Sequence, residues 1–209
     1  MELLSNSFIF LIGSSIGSFL NVLIYRLPKN QSIVLPRSKC RSCNQIINWY
    51  DNIPILSWII LNGKCRYCEE RISPGYLIVE ILTGLSFVIL SKSNSTIYEQ
   101  LPNYQNIPIS LILISIFIPL LILDLKYLWL PSSITFFGIS IGLIINFLYS
   151  YIFNNSQYLN HIFAGVSGLV FFLLISIIGE KLFKKKVLGY GDAKLACLIG
   201  IWIGLEGLI

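Results

Sequence analysis

Residues 160–180 read NHIFAGVSGLVFFLLISIIGE, with no acidic or basic side chain apart from His161 before the closing Glu180. A helix rises about 1.5 Å per residue, so this stretch can cross the roughly 30 Å hydrocarbon core of a bilayer. A helix lying on a soluble core would alternate its apolar stripe with a polar face. This one has no polar face to offer water. Five more stretches of the same kind follow from the sequence, at 7–25, 76–91, 107–125, 131–152 and 192–209. The chain is therefore read as all-α and integral to the membrane, a polytopic bundle of about six transmembrane helices.

Composition agrees. Of 209 residues, 55% are hydrophobic and only 12% charged, and the mean hydropathy is +0.76. Soluble domains carry about 25% charged residues, and half that number cannot cover a water-facing globule. The first span lacks a basic segment before it and a small-residue cleavage site after it, so it is expected to stay in the mature protein as a helix. Gly13 with Gly17, Gly138 with Gly142, and Gly200 with Gly204 are small-xxx-small pairs, read as points of close helix packing. Asn/Ser-rich 93–96 and 154–156 are read as loops, and no internal repeat is expected.

The fifteen Lys and Arg residues set the orientation, because basic loops are retained on the cytoplasmic side. The loop 26–75 holds Arg26, Lys29, Arg37, Lys39, Arg41, Lys64, Arg66 and Arg71. Lys181, Lys184, Lys185 and Lys186 precede the last span, Lys194 opens it, and Lys126 follows the third. With the N-terminus outside, fourteen of the fifteen fall on the cytoplasmic side, and Lys92 is the exception. Topology thus accounts for the net charge of +5. No nucleic-acid motif accompanies these charges, and no nucleic-acid partner is expected. The lipid bilayer is.

That basic loop contains two knuckles, Cys40-Arg-Ser-Cys43 and Cys65-Arg-Tyr-Cys68, 21 residues apart. Two C-x-x-C knuckles can give four thiolates to one tetrahedral Zn²⁺, a closed and therefore structural site. Two disulfides or a redox pair are the other readings. A reducing cytoplasm disfavours lasting disulfides, and the flanking Lys39, Arg41, Lys64 and Arg66 favour thiolates. Cys197 lies in the last span and is read as a small core residue. Between the knuckles, 49–61 (WYDNIPILSWIIL) is apolar but too short to span, and is placed at the membrane surface or folded onto the bundle.

Ionisable groups within spans are functional candidates by default, and few occur: Glu80, Asp124 and Asp192, with Glu206 near the C-terminus. Asp124 closes the third span and Asp192 opens the sixth, both on the cytoplasmic side by the topology above. Two carboxyl groups sharing a site hold one proton between them. The ionised member can take a proton from an attacking water while the other protonates the peptide carbonyl oxygen. Gly189-Tyr190-Gly191-Asp192 fits a tight turn leading into a helix. An N-cap is the structural alternative for Asp192. Asp124 opposes the macrodipole at a helix C-terminus, so a purely structural role suits it less. The dipoles favour charge on Asp192 and disfavour it on Asp124, which makes Asp192 the base and Asp124 the acid.

Together these residues resemble the prepilin peptidases, or type IV leader peptidases, membrane aspartyl proteases with a G-x-G-D motif. Gly17-Ser-Phe-Leu-Asn-Val-Leu-Ile-Tyr-Arg-Leu-Pro28 is similar to the family's N-terminal signature, and the cysteine pairs follow at similar positions. Val79-Glu-Ile-Leu-Thr-Gly84 resembles its second-helix motif. Asp124 with Leu130-Pro131, then Gly189-Tyr-Gly-Asp192-Ala-Lys-Leu195, resemble its two catalytic blocks in order. Gly75-Tyr76-Leu77 departs from the family's Arg-Tyr-Pro, and relatives usually continue through further helices after the span that follows Asp192. The resemblance implies a first transmembrane helix (1–25), a cytoplasmic zinc-binding loop (26–75) and a transmembrane peptidase core (76–209). It implies cleavage of the leader from type IV prepilins or pseudopilins at the cytoplasmic face of the bacterial inner membrane, by Asp124 and Asp192. It also implies methylation of the new N-terminus by S-adenosylmethionine, an activity to which Glu80 belongs unless it only makes a buried contact. A zinc-stabilised scaffold without catalysis and a membrane thiol oxidoreductase are the competing functions. Oligomeric state is not legible.

Overall fold

The computed structural model describes residues 2–92, 107–153, 158–185 and 188–205. Seven α-helices are seen among them: α1 (Glu2–Arg26), α2 (Leu56–Ile60), α3 (Gly75–Lys92), α4 (Ile107–Tyr127), α5 (Ser132–Phe153), α6 (Tyr158–Phe183) and α7 (Tyr190–Ile203). No strand occurs among the described residues, only two isolated bridges in the loop after α1. The expected all-α membrane architecture is present. Asn6–Lys29, Gly75–Lys92, Ser132–Ile152 and Tyr158–Phe183 are helical stretches long and apolar enough to cross a bilayer. The expected third and sixth spans fall on α4, of 21 residues, and on α7, whose helix is described for 14. The loops expected at 93–96 and 154–156, and Lys186 and Glu206, lie outside the described residues.

Helix ends follow local chemistry. α1 gives way at Pro28 to a single 3-10 turn, closed by Asn30 in the left-handed region at φ 52°, as proline and asparagine favour. α4 closes the same way: Leu128 takes φ 48°, its N–H donates to the Asp124 carbonyl at 2.8 Å, and Pro131 then precedes α5.

The chain divides at Pro119 into two compact units, residues 1–119 and 120–209. In the first, α1 and α3 run antiparallel in a four-residue register. A methyl group added to Gly13 would lie 2.9 Å from Gly84 Cα, and one on Gly17 would lie 2.9 Å from Glu80 Cα. One step further along, Asn21 Nδ2 donates to the Tyr76 carbonyl at 3.0 Å. The first small-xxx-small pair is thus the seam that brings two backbones together.

In the second unit α7 packs on both α5 and α6. A methyl on Gly200 would meet the Ala164 carbonyl oxygen at 2.5 Å, and one on Gly142 would meet Trp202 Nε1 at 2.8 Å. Buried Trp202 donates its indole N–H to the Gly138 carbonyl at 3.0 Å. The final carbonyls of a helix lack partners of their own, and the Ile201 carbonyl receives Asn146 Nδ2 at 2.8 Å and His161 Nδ1 at 3.0 Å. Gly13, Gly17, Gly142 and Gly200 are thus points of close packing, whereas Gly204 is the C-cap of α7 at φ 76°. Cys197 is half-buried on α7 rather than a core residue.

Candidate active site and metal centre

The loop between α1 and α3 corrects one expectation: it contains an internal repeat. Residues 39–47 (KCRSCNQII) and 64–72 (KCRYCEERI) fold as two copies of one turn, 25 positions apart. Cys40 N–H donates to the Gln45 carbonyl and Asn44 N–H to the Cys40 carbonyl, at 2.9 and 3.1 Å. The second copy repeats both bonds, Cys65 to Glu70 and Glu69 to Cys65, at 2.9 and 3.0 Å. Asn44 and Glu69 both take positive φ, at 58° and 55°, and the bridges Lys39–Ile46 and Lys64–Arg71 close each turn. The signal was available in the shared K-C-R-x-C.

The repeat aims four sulfurs at one point. The Sγ atoms of Cys40, Cys43, Cys65 and Cys68 all lie within 4.8 Å of one another, and Cys40 and Cys68 are 3.7 Å apart. A tetrahedral Zn²⁺ with Zn–S bonds of 2.3 Å requires sulfurs about 3.8 Å apart. The spacing fits a metal and is too long for a disulfide; all four cysteines are free thiols. The backbone N–H groups of Cys43 and then Ser42 draw Cys40 down to about 6. Cys68 is pushed up to about 12: the Glu70 N–H favours its thiolate, but desolvation and the neighbouring thiols Cys43, Cys65 and Cys40 outweigh it. The arginines of the two copies hold the loop in place. Arg41 stacks 3.7 Å over the Tyr25 ring at the end of α1 and 5.1 Å from that of Tyr76 on α3. Arg66 makes a bidentate pair with Asp51, 2.9 Å from Nε to Oδ2.

In the second unit, Asp124 lies half-buried in the last turn of α4. Asp192 is the third residue of α7, also half-buried. It is not the N-cap; Gly189 is, with extended backbone at φ −80° and ψ 148°. Asp192 Oδ2 reaches back to accept the Gly189 N–H at 3.1 Å, the half of a capping box that a glycine N-cap permits. The connection of residues 128–131 that follows Asp124 packs directly on the turn before Asp192. A methyl on Gly191 would sit 3.1 Å from Leu130 Cβ. Beside that contact, Lys194 Nζ donates to Ser132 Oγ at 2.7 Å, fastening the start of α7 to the start of α5. The connection that follows Asp124 and the start of α7, which carries Asp192, are thereby held against each other. No hydrogen bond joins the two carboxylates among the described residues. Leu130 and Lys194 lie in the motifs quoted from the sequence, but their contacts with Gly191 and Ser132, and Ser132 itself, were not legible there.

Comparison with known proteins fits this arrangement. Residues 11–93 match the bacterial peptidase A24 N-terminal domain, and residues 111–209 match the type IV leader peptidase family. A relative from Klebsiella pneumoniae, named prepilin leader peptidase/N-methyltransferase, is 32% identical over 208 residues, 97% of this chain and 86% of its own length. The chain belongs to the type IV leader peptidase family. A protein of the same name from Vibrio cholerae is 34% identical over 208 residues, covering 94% of this chain and 76% of its own. Another, from Myxococcus xanthus, is 36% identical over 202 residues, and there the chain spans only 57% of the relative's length. No solved structure matches. In this chain the four knuckle cysteines fall in the first matched region and both aspartates in the second.

Proposed function

We propose that the protein is a prepilin leader peptidase that cleaves type IV prepilins or pseudopilins at the cytoplasmic face of the bacterial inner membrane. Asp192 and Asp124 are the proposed catalytic pair. The ionised Asp192 accepts a proton from water as its oxygen attacks the scissile carbonyl carbon, and protonated Asp124 donates to the carbonyl oxygen. Collapse of the tetrahedral diol breaks the C–N bond, the proton held by Asp192 passes to the leaving amine, and a diol hydroxyl returns its proton to Asp124. The half-exposure of both aspartates at helix ends supports access of water to the pair. The observation that supports the reading most is the seating of Leu130 against Gly191, which joins the connection after Asp124 to the turn before Asp192.

The four cysteines are the proposed ligands of a structural Zn²⁺, which supplies a cross-link between the two knuckles. The relatives' name also supports methylation of the newly exposed N-terminus, with S-adenosylmethionine as donor; no residue is assigned to that step. The basic loop charges support a topology with the N-terminus outside and the cysteine loop in the cytoplasm. Co-expression with a prepilin, followed by mass measurement of the pilin N-terminus, tests both activities. A mass lower by the leader and higher by one methyl group is expected. An unprocessed pilin overturns the protease, and a cleaved but unmethylated one overturns the methyltransferase.

A further inference from the structure

We propose that residues 53–61 form a re-entrant segment that enters the lipid leaflet beside α1 and α3, held there by Glu80. The segment, IPILSWIIL, carries no charge. Its depth follows from the α1–α3 register. Glu80 lies opposite Gly17, nine residues before Arg26, on the order of 13 Å below the charged end of α1. The Ile55 N–H donates to Glu80 Oε2 at 2.8 Å. Side chains on a helix lean toward its start. Even fully extended that way, Glu80 reaches only the level of Gly75, opposite Val22 and still about 6 Å inside Arg26. The loop therefore does not stay above the membrane surface between its two knuckles. It dips.

The backbone is prepared for such a place. Within a bilayer an irregular segment persists only where its polar groups are satisfied. Leu56 N–H donates to the Pro54 carbonyl, Ser57 N–H and Oγ to Ile53, Ile59 N–H to Ile55, and Leu61 N–H to Ser57. Ile55 sits at φ 64°, costly for a β-branched residue, and its N–H faces away from these turns. Glu80 takes that one. Leu56, Ile59 and Ile60 are left 52%, 55% and 72% exposed, a patch that at this depth meets acyl chains. Trp49 and Tyr50, exposed just before the dip, suit the headgroup layer. At the far end the Trp58 ring closes over Gly63, at φ 66°, and Lys64 returns the chain to water.

The test places a p-benzoylphenylalanine photo-cross-linker at Ile60 of the full chain, in phosphatidylethanolamine and phosphatidylglycerol vesicles. Lipid adducts are read by mass. Phe171, exposed on α6, is the positive control, and Tyr67 in the second knuckle the negative one. Ile60 is expected to yield adducts like Phe171, and Tyr67 none. Glu80→Ala should cut the Ile60 adduct about tenfold, the loss of a charge-assisted hydrogen bond. It should leave the Phe171 adduct intact, which certifies insertion. Glu80→Gln keeps an acceptor oxygen and should keep the adduct. An Ile60 probe that captures protein or nothing while Phe171 captures lipid overturns the insertion. An Ile60 adduct unchanged in Glu80→Ala overturns the anchoring role of Glu80.

Discussion

The cysteine cluster and the aspartate pair are both small sets of ionisable groups carried by an apolar chain, yet they are built in opposite ways. The cysteines are fixed from within: each knuckle closes its own turn with backbone bonds, and four sulfurs converge within 4.8 Å. The aspartates are fixed from without. Among the described residues no bond joins their carboxylates, and the connection after Asp124 and the start of α5 are seated on the start of α7 by Leu130 on Gly191 and by Lys194 on Ser132. A closed set of four donors leaves a metal no open position, which suits scaffolding. Half-exposed, unlinked carboxylates suit the proposed catalysis, which needs access for water and a peptide.

The largest effects that can break this contrast come from the open site. Asp124→Asn and Asp192→Asn should each lower prepilin cleavage by about 10²–10⁴-fold, the usual worth of a general acid or base. Each should leave metal content and membrane insertion unchanged. Cleavage that survives either change would remove that aspartate from the mechanism.

Loss of the closed site should act differently. Cys43→Ser or Cys68→Ser is expected to abolish stoichiometric zinc, measured by metal analysis of purified protein, and to expose residues 39–72 to limited proteolysis. The fragment containing α5, α6 and α7 should remain protected, because its contacts lie within the second unit. If the whole chain became protease-sensitive, the cluster would stabilise more than its own loop.

Gly191→Ala should have a smaller effect. The new methyl would sit 3.1 Å from Leu130 Cβ, so the connection after Asp124 must shift by a fraction of an ångström. Misplacements approaching 1 Å can cost about a hundredfold in rate; a drop nearer tenfold is expected here. Leu130→Ala in the same chain should recover part of it. Failure of that rescue would mean that the Leu130 contact does not position the aspartates.

Much of this was legible in the residues. Uninterrupted apolar runs announce membrane helices because no other fold tolerates them, and Gly13 and Gly17 marked a packing seam that the α1–α3 register bears out. The Cys-x-x-C spacing pointed to one four-sulfur cluster. The rest depended on information that a linear pattern lacks. Whether Asp192 is an N-cap or the third helical residue turns on a shift of a few positions in the helix start. The tie between Glu80 and Ile55 joins residues 25 apart through a strained turn that no propensity announces. The knuckle repeat is masked in the letters for another reason: past the shared Lys-Cys-Arg-x-Cys, Asn44-Gln45 stands where the second copy has Glu69-Glu70.

The finest test of the comparison is within the closed site, where equivalent positions of a repeated turn are not chemically equivalent. Cys40 is brought down to about 6 by backbone N–H groups led by that of Cys43, whereas Cys68 is pushed up to about 12 despite the Glu70 N–H. A thiol held below its ordinary value of 9.0 contributes stability above that value, and the contribution fades as pH falls through about 6. In metal-stripped protein at pH 7, Cys40 is therefore mostly thiolate and Cys68 is not. Brief iodoacetamide treatment with peptide mapping should label Cys40 first and Cys68 last, although Cys68 is the more exposed of the two. Lowering the pH below 6 should erase the preference. Labelling that followed exposure instead would show that solvent access, not the backbone donors of the first knuckle, governs these thiols. With zinc bound, all four should be protected alike, since the metal holds every one of them as thiolate.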